Sequence, residues 1–278
     1  MPSKPRLGQN FLRDTQAIQR IASALGDLSS ETVIEIGPGQ GAITRGLASK
    51  AARVIAIELD PNLAAHLGNQ FPQERVTVVQ ADVLGYDFFA ASEAAGRHLV
   101  VAGNLPYYIT SPILLKLAAS HAALDRAVLM VQREVADRIV AAPGSRDYGL
   151  LSVTVQMYGP VERLFDLPPA AFSPPPDVHS TVFRWRFAPR FDEFGVEEAA
   201  FLRFARQVFA QKRKTLANNL RAAGYDPGDT QAAFSAASIG AHARAEELPL
   251  EKLASLWASL PREKAASAGE AADPGRDG

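Results

Sequence analysis

Short apolar runs alternate with amphipathic stretches through the first half of the chain. Residues 32–36, 53–58, 76–79, 99–102 and 127–131 are rich in valine, isoleucine and leucine and have the length of buried strands. Between them the apolar spacing turns helical. Ile18, Ile21, Ala22 and Leu25 fall at i, i+3, i+4 and i+7, with Asp14 placed to cap the start and Gly26 just past the end. Ile43 and Leu47 mark the next helix, and Asp60-Pro61 is a cap and first-turn pair for another. Ser111-Pro112 opens a helix with Ile113, Leu114 and Leu117 inward, and residues 132–139 are helical again. Strands that are apolar throughout, rather than at every second position, predict a parallel sheet covered on both faces. Ligands of such sheets bind beyond the carboxyl ends of the strands. Gly37, Glu58, Asp82 and Asn104 all lie at or just past such ends.

After about residue 160 the pattern changes. Leu167-Pro168-Pro169, Phe172-Ser173-Pro174-Pro175-Pro176 and Thr181-Val182-Phe183-Arg184-Trp185 read as loops and strands, and from Glu197 to about Leu260 the spacing is helical with short connections. This predicts a first domain over 1–190, a small helical domain over 191–262, and a disordered tail over 263–278, where large apolar residues almost vanish. No internal repeat is present.

Composition narrows the class. With 278 residues, 47% hydrophobic and 21% charged, the chain has ample material for a core. No apolar run approaches the roughly 20 residues of a membrane helix, and the first residues lack a secretory-type apolar segment. There is no cysteine, hence no disulfide and no thiolate metal site. A cytoplasmic protein without membrane attachment is expected. The net charge of −1 is not that of a uniformly basic nucleic-acid binder. The charge is uneven, however: residues 199–225 hold Arg203, Arg206, Lys212, Arg213, Lys214 and Arg221 and no carboxylate, and the first thirteen residues carry Lys4, Arg6 and Arg13. Such patches suit either a solvated helix face or a polyanion approached from one side.

The candidate chemistry lies at the strand ends. Glu35-Ile36-Gly37-Pro38-Gly39-Gln40-Gly41 follows the first strand, and Glu58 ends the second, where a carboxylate accepts from both hydroxyls of a ribose. The spacing is Gly-x-Gly-x-Gly and Pro38 removes a backbone donor, which suits a nucleoside without a phosphate better than a dinucleotide. S-adenosylmethionine is such a ligand, with Asp82 placed to accept from its adenine amine or, more plainly, to cap a helix. Gly103-Asn104-Leu105-Pro106-Tyr107 then describes a buried strand stopping in a rigid turn, because Pro106 forces Leu105 into an extended conformation. The Asn104 side-chain oxygen and the Leu105 carbonyl are two acceptors beside an aromatic ring, a set fit to grip the amine of a flat base. Phe172 is either part of a proline-stiffened loop or a second ring opposite Tyr107. The five histidines show no metal-ligand spacing.

Together with Leu7-Gly8-Gln9-Asn10-Phe11-Leu12, Gln132-Arg133-Glu134-Val135-Ala136 and Lys212-Arg213-Lys214-Thr215-Leu216, these segments resemble the family of ribosomal RNA adenine dimethyltransferases over about residues 4 to 260. The Leu-Gly-Gln-Asn-Phe-Leu and Asn-Leu-Pro-Tyr-Tyr-Ile-Thr-Ser-Pro forms favour its small-subunit branch over the resistance enzymes that act on large-subunit rRNA. The resemblance implies an α/β, Rossmann-like S-adenosylmethionine-dependent methyltransferase domain with a small all-helical C-terminal domain that contacts RNA. It implies that Asn10, Leu12, Gly37, Gly39, Glu58, Asp82 and Asn104 hold S-adenosylmethionine (released as S-adenosylhomocysteine), with no metal. Asn104 and Leu105 would hold the target amine, Pro106 belongs to the same catalytic motif, and Tyr107 and Phe172 would stack on the base. The implied substrate is a pair of adjacent adenines in a hairpin near the 3′ end of 16S rRNA in the assembling small subunit, met by a monomer. The alternatives are a large-subunit or DNA adenine methyltransferase, and an assembly factor with little catalysis. The near-neutral charge departs from the family's usual basic character.

Overall fold

A computed structural model describes residues 10–261, so the expected tail over 263–278 and the basic residues Lys4 and Arg6 lie outside the described residues. The described residues divide into two compact units, one formed by residues 10–137 and 159–188, the other by 138–158 and 189–261.

The first unit is built on a seven-stranded sheet. In chain order its elements begin with β1 (Phe11–Leu12), α1 (Thr15–Ala24), β2 (Thr32–Ile36), α2 (Ala42–Ala48), β3 (Arg53–Glu58), α3 (Pro61–Gln70) and β4 (Val76–Gln80). They continue with α4 (Phe88–Ala95), β5 (Leu99–Asn104), α5 (Thr110–Ala119), β6 (Leu124–Gln132) and α6 (Arg133–Ile139), whose last turn passes into the second unit. After α7 (Leu150–Met157) of the second unit come β7 (Val161–Leu167), β8 (Phe172–Ser173) and β9 (Ser180–Arg186).

The strand order is β4-β3-β2-β5-β6-β9-β7, parallel from β4 to β6 and antiparallel at β9 and β7. All five residues of β2 are buried, so both of its faces are covered. On one face Val33, Val54, Val100 and Val128 pack with Ile21 of α1 and Leu47 of α2. The chain runs outward from β2 to β4 and then returns to the other side of β2 as β5, so the connections diverge between β2 and β5 and leave a crevice there. Gly103 keeps these two strands close, since a Cβ on it would stand 2.7 Å from the Ile36 carbonyl oxygen. The caps act as expected: Asp14 accepts from the backbone N–H groups of Gln16 and Ala17, and Asp60 from those of Asn62 and Leu63.

Some elements differ from the sequence expectation. The helix anticipated at Ser111 starts at Thr110, behind a 3₁₀ turn over Tyr107–Ile109. α4, α7 and β7 have no counterpart in it. Residues 138–158, assigned there to the first domain, belong to the second unit. The cause lies in α7, six of whose eight residues are buried and which packs on α8 (Glu198–Val208). Its Gln156 amide also donates to the carbonyls of Ile139 and Ala141, 3.0 and 2.9 Å away.

The second unit continues with α9 (Leu216–Ala222), α10 (Pro227–Ala236) and α11 (Leu250–Ser259). Asn219 holds the α8–α9 connection: it is buried, donates to the carbonyls of Val208 and Gln211, and accepts from the Gln211 N–H. The six basic side chains from Arg203 to Arg221 are all exposed, and none forms a salt bridge among the described residues.

Candidate active site

The crevice at the carboxyl ends of β2, β3, β4 and β5 is a pocket of about 1080 Å³ including its open mouth. Asn10, Leu12, Gly37, Gly39, Glu58, Asp82, Asn104, Leu105, Pro106 and Tyr107 all line it. Of the expected site residues, only Phe172 does not.

The glycine loop forms the floor. Gly37, Gly39 and Gly41 have φ of +62°, +56° and +78°, so the chain doubles back sharply over the end of β2. At Gly39 the space matters as well as the angle: a Cβ there would lie 2.9 Å from the Phe11 ring, which closes over the loop from β1. Glu58 ties the loop to β3. Its Oε2 accepts from the Gly39 N–H and its Oε1 from the Asp60 N–H, each at 3.0 Å, and the residue is buried. Each oxygen retains a second lone pair, the acceptor capacity that ribose hydroxyls require. Asp82 caps as expected and also lines the pocket. It is exposed on the pocket wall, and its Oδ1 caps the following 3₁₀ turn by accepting from the Leu84 N–H at 2.9 Å.

The opposite wall is the end of β5. The Leu105 N–H donates to the Met130 carbonyl at 2.9 Å, and the Pro106 carbonyl accepts from the Thr110 hydroxyl and the Ile109 N–H. These bonds fix the turn that carries Asn104. The Asn104 Nδ2 donates to the Asn10 carbonyl at 3.1 Å, which sets the amide's orientation. Its Oδ1 is then left buried and without a partner. A buried acceptor with no donor is costly, and the residue that carries it lines the cavity. Tyr107 is half-buried, and its hydroxyl shares a 2.9 Å hydrogen bond with Ser180 of β9. Burial pushes the phenol's pKa up, against the pull of that bond.

Phe172 is a correction. It is 4% exposed and belongs to the apolar cluster containing Leu12, Ile21 and Val182. The two-residue ribbon explains this, because Phe172 pairs with Leu12 and Ser173 with Phe11. Phe172 therefore holds the β1 arm in place from beneath instead of forming a pocket wall.

Glu35 has no role assigned to it by the glycine-loop motif it opens, although a lone carboxylate inside Thr-Val-Ile-Glu-Ile is a signal in itself. It lines the pocket at 1% exposure, and Oε2 has no hydrogen-bond partner. Desolvation, with a smaller contribution from the Glu58 charge, pushes its pKa up to about 7, and Thr44 nearby offsets part of the rise. Phe11, Leu59 and Tyr108 also line the pocket. Among the described residues no group of three or more His, Asp or Glu is placed to hold a metal ion, and no helix is long and apolar enough to cross a membrane.

A glycine cradle, a buried carboxylate at the next strand end and an acidic side chain at the third fit S-adenosylmethionine, a nucleoside bearing a charged amino-acid tail. Fold and pocket thus define a Rossmann-like methyltransferase. Residues 2–261 match the family of ribosomal RNA adenine dimethylases, and the chain belongs to that family. It is 57% identical over 258 residues to the ribosomal RNA small subunit methyltransferase A of Acidobacterium capsulatum, covering 92% of this chain and 91% of that one. It is 48% identical over 269 residues to the protein of the same name in Koribacter versatilis, covering 92% and 94%. Among solved structures it is similar to the 23S rRNA methyltransferase ErmE, at 27% identity and TM-score 0.69 over 90% of this chain and 99% of that one. A dimethyladenosine transferase from Plasmodium falciparum shares the fold at TM-score 0.73 and 23% identity, over 88% and 95% of the two chains.

Proposed function

We propose that this chain transfers methyl groups from S-adenosylmethionine to the exocyclic amines of two adjacent adenines in a hairpin near the 3′ end of 16S rRNA, acting as a cytoplasmic monomer on the assembling small subunit. The family is one of rRNA adenine dimethylases, and the relatives named for the small subunit support that choice of RNA. The observation that carries the chemistry is the buried, unpaired Oδ1 of Asn104.

The cofactor supplies a methyl group on a sulfonium, already a strong electrophile. Glu58 holds the ribose, Asp82 the adenine amine, and the Gly37–Gly39 bend admits the amino-acid end. On the other wall the problem is the nucleophile, because the lone pair of an adenine amine is delocalised into its ring. Asn104 Oδ1 and the Leu105 carbonyl each accept one N–H, which favours a tetrahedral nitrogen and frees the lone pair for attack. Tyr107 stacks on the extruded base and sets its plane. Holding both partners in line supplies most of the rate enhancement. The proton released by the methylated amine passes to water. One N–H remains after the first transfer and can still be gripped. None remains after the second, so the grip is lost once the base is dimethylated.

The test is Asn104→Ala with small-subunit precursors, large-subunit RNA and duplex DNA as substrates, read by mass spectrometry for dimethyladenine. Wild type is expected to modify the small-subunit substrate. The variant should lose far more in turnover than in cofactor affinity. Retention of turnover within about tenfold, roughly 1.4 kcal/mol of barrier, would refute the amine-gripping role. Modification of large-subunit RNA in its place would favour the substrate class of ErmE.

A further inference from the structure

Two large apolar side chains of the pocket wall stand open to solvent: Leu59 at 47% and Tyr108 at 59% exposed. Leu59 follows Glu58 and belongs to the side assigned to the cofactor. Tyr108 follows Tyr107, on the side assigned to the base. The two tyrosines occupy successive positions of one 3₁₀ turn, so their side chains leave the backbone about 120° apart and cannot cover the same base. Tyr107 is anchored to Ser180. Tyr108 has no hydrogen bond, ion pair or ring contact among the described residues. The fold does not need it there, because α5 buries its own Ile113, Leu114 and Leu117. Beside it, Ser111 and Pro112 are exposed and uncharged. An exposed ring at the mouth of the pocket suits the face of a nucleobase.

We infer that Tyr108 is a stacking platform for the nucleobase next to the one held at Asn104, a positioning residue that orients the RNA strand at the pocket mouth. The inference rests on the adenine-transfer reading above, with Tyr107 on the target base and Tyr108 on its neighbour. For a substrate of two adjacent adenines, the platform would hold one while the other reacts, and the strand would then shift by one nucleotide.

The test uses the full-length protein and an RNA hairpin with the fluorescent analogue 2-aminopurine beside the target adenine. Wild type should change the probe's emission on binding, Tyr108→Ala should abolish the change, and Tyr108→Phe should keep it. In steady-state methylation of small-subunit particles, the KM of Tyr108→Ala for RNA should rise about fivefold or more, the lower end of base–aromatic stacking. Its kcat should fall by less than KM rises, and its affinity for S-adenosylmethionine by calorimetry should stay within twofold of wild type. Tyr108→Phe should restore KM, and the circular dichroism of Tyr108→Ala should match wild type; a KM rise accompanied by an altered spectrum would overturn the inference in favour of a structural role. An unchanged probe signal in Tyr108→Ala would overturn the inference. Weakened cofactor binding with unchanged RNA binding would also overturn it and make Tyr108 a wall of the cofactor site. The probe signal needs no turnover. A wild-type protein that shifts the probe but methylates nothing would refute the reaction and leave the platform standing.

Discussion

Replacing Glu35 by glutamine should remove a pH-dependent weakness from the core of the sheet. The carboxyl is 1% exposed, has an unpaired Oε2 and shares its pocket with Glu58. Its pKa rises from 4.5 to about 7 on folding, chiefly through desolvation. Below pH 4.5 folded and unfolded chains both hold the proton, and the group costs nothing. Between pH 4.5 and 7 the unfolded chain ionises while the native state keeps its proton. Native stability then falls by about 1.4 kcal/mol per pH unit. Above pH 7 both states are ionised and the loss levels off at about 3 kcal/mol. Glutamine is close in shape and does not titrate, so any packing or hydrogen-bonding offset it introduces is the same at every pH. The readout is the difference in urea-unfolding free energy between variant and wild type, followed by tryptophan fluorescence at pH 5 and pH 8. Relative to wild type, the variant should gain about 2–3 kcal/mol between these points. A change below about 0.5 kcal/mol would mean that Glu35 is solvated or paired in solution, and the account of its burial would fail.

Three further substitutions probe the pocket and the strands beneath it. Gly39→Ala combines a left-handed φ, worth about 1–2 kcal/mol, with a clash against Phe11, and calorimetry should show at least tenfold weaker S-adenosylmethionine binding. Gly103→Ala places a Cβ against the Ile36 carbonyl, so β2 and β5 must part; thermal or urea unfolding should register a loss of about 1–3 kcal/mol. Tyr107→Phe keeps the stacking face but breaks the bond to Ser180. It should lower stability by about 0.5–1.5 kcal/mol and cost methylation less than tenfold in kcat/KM.

The strands closest to their expected bounds are those whose apolar runs are sharply punctuated. β2 and β3 end at a glycine bend and at Glu58-Leu-Asp-Pro, and their apolar residues Val33, Ile34 and Ile36, and Val54 to Ile57, run nearly unbroken up to those stops. α7 lacks such a signal. Leu-Leu-Ser-Val-Thr-Val-Gln-Met is rich in β-branched residues and buried nearly throughout, so it shows no helical stripe and a strand reading is as natural. α4 did have its punctuation, Asp87 at the start and Gly96 in a left-handed conformation at the end, but its alanines give no apolar period. The pocket residues could be identified because each sits at a strand end within a short linear motif. Their orientations could not. The Asn104 amide is set by a carbonyl 94 residues away, and Phe172 turns inward because a two-residue ribbon fixes which of its faces meets the core.

The winding of the backbone between the two units carries a lesson for anyone wishing to dissect them. The helical unit borrows residues 138–158 from the middle of the polypeptide, whereas β7 and β9, which complete the sheet, are translated only after that excursion. Stopping synthesis near residue 190 would complete the sheet yet strand α7 without α8, its apolar side chains bared to water. Starting near residue 190 would leave α8 without α7. On a ribosome, therefore, neither unit is finished before the other has begun, and isolating either one requires excising or bridging the loaned segment.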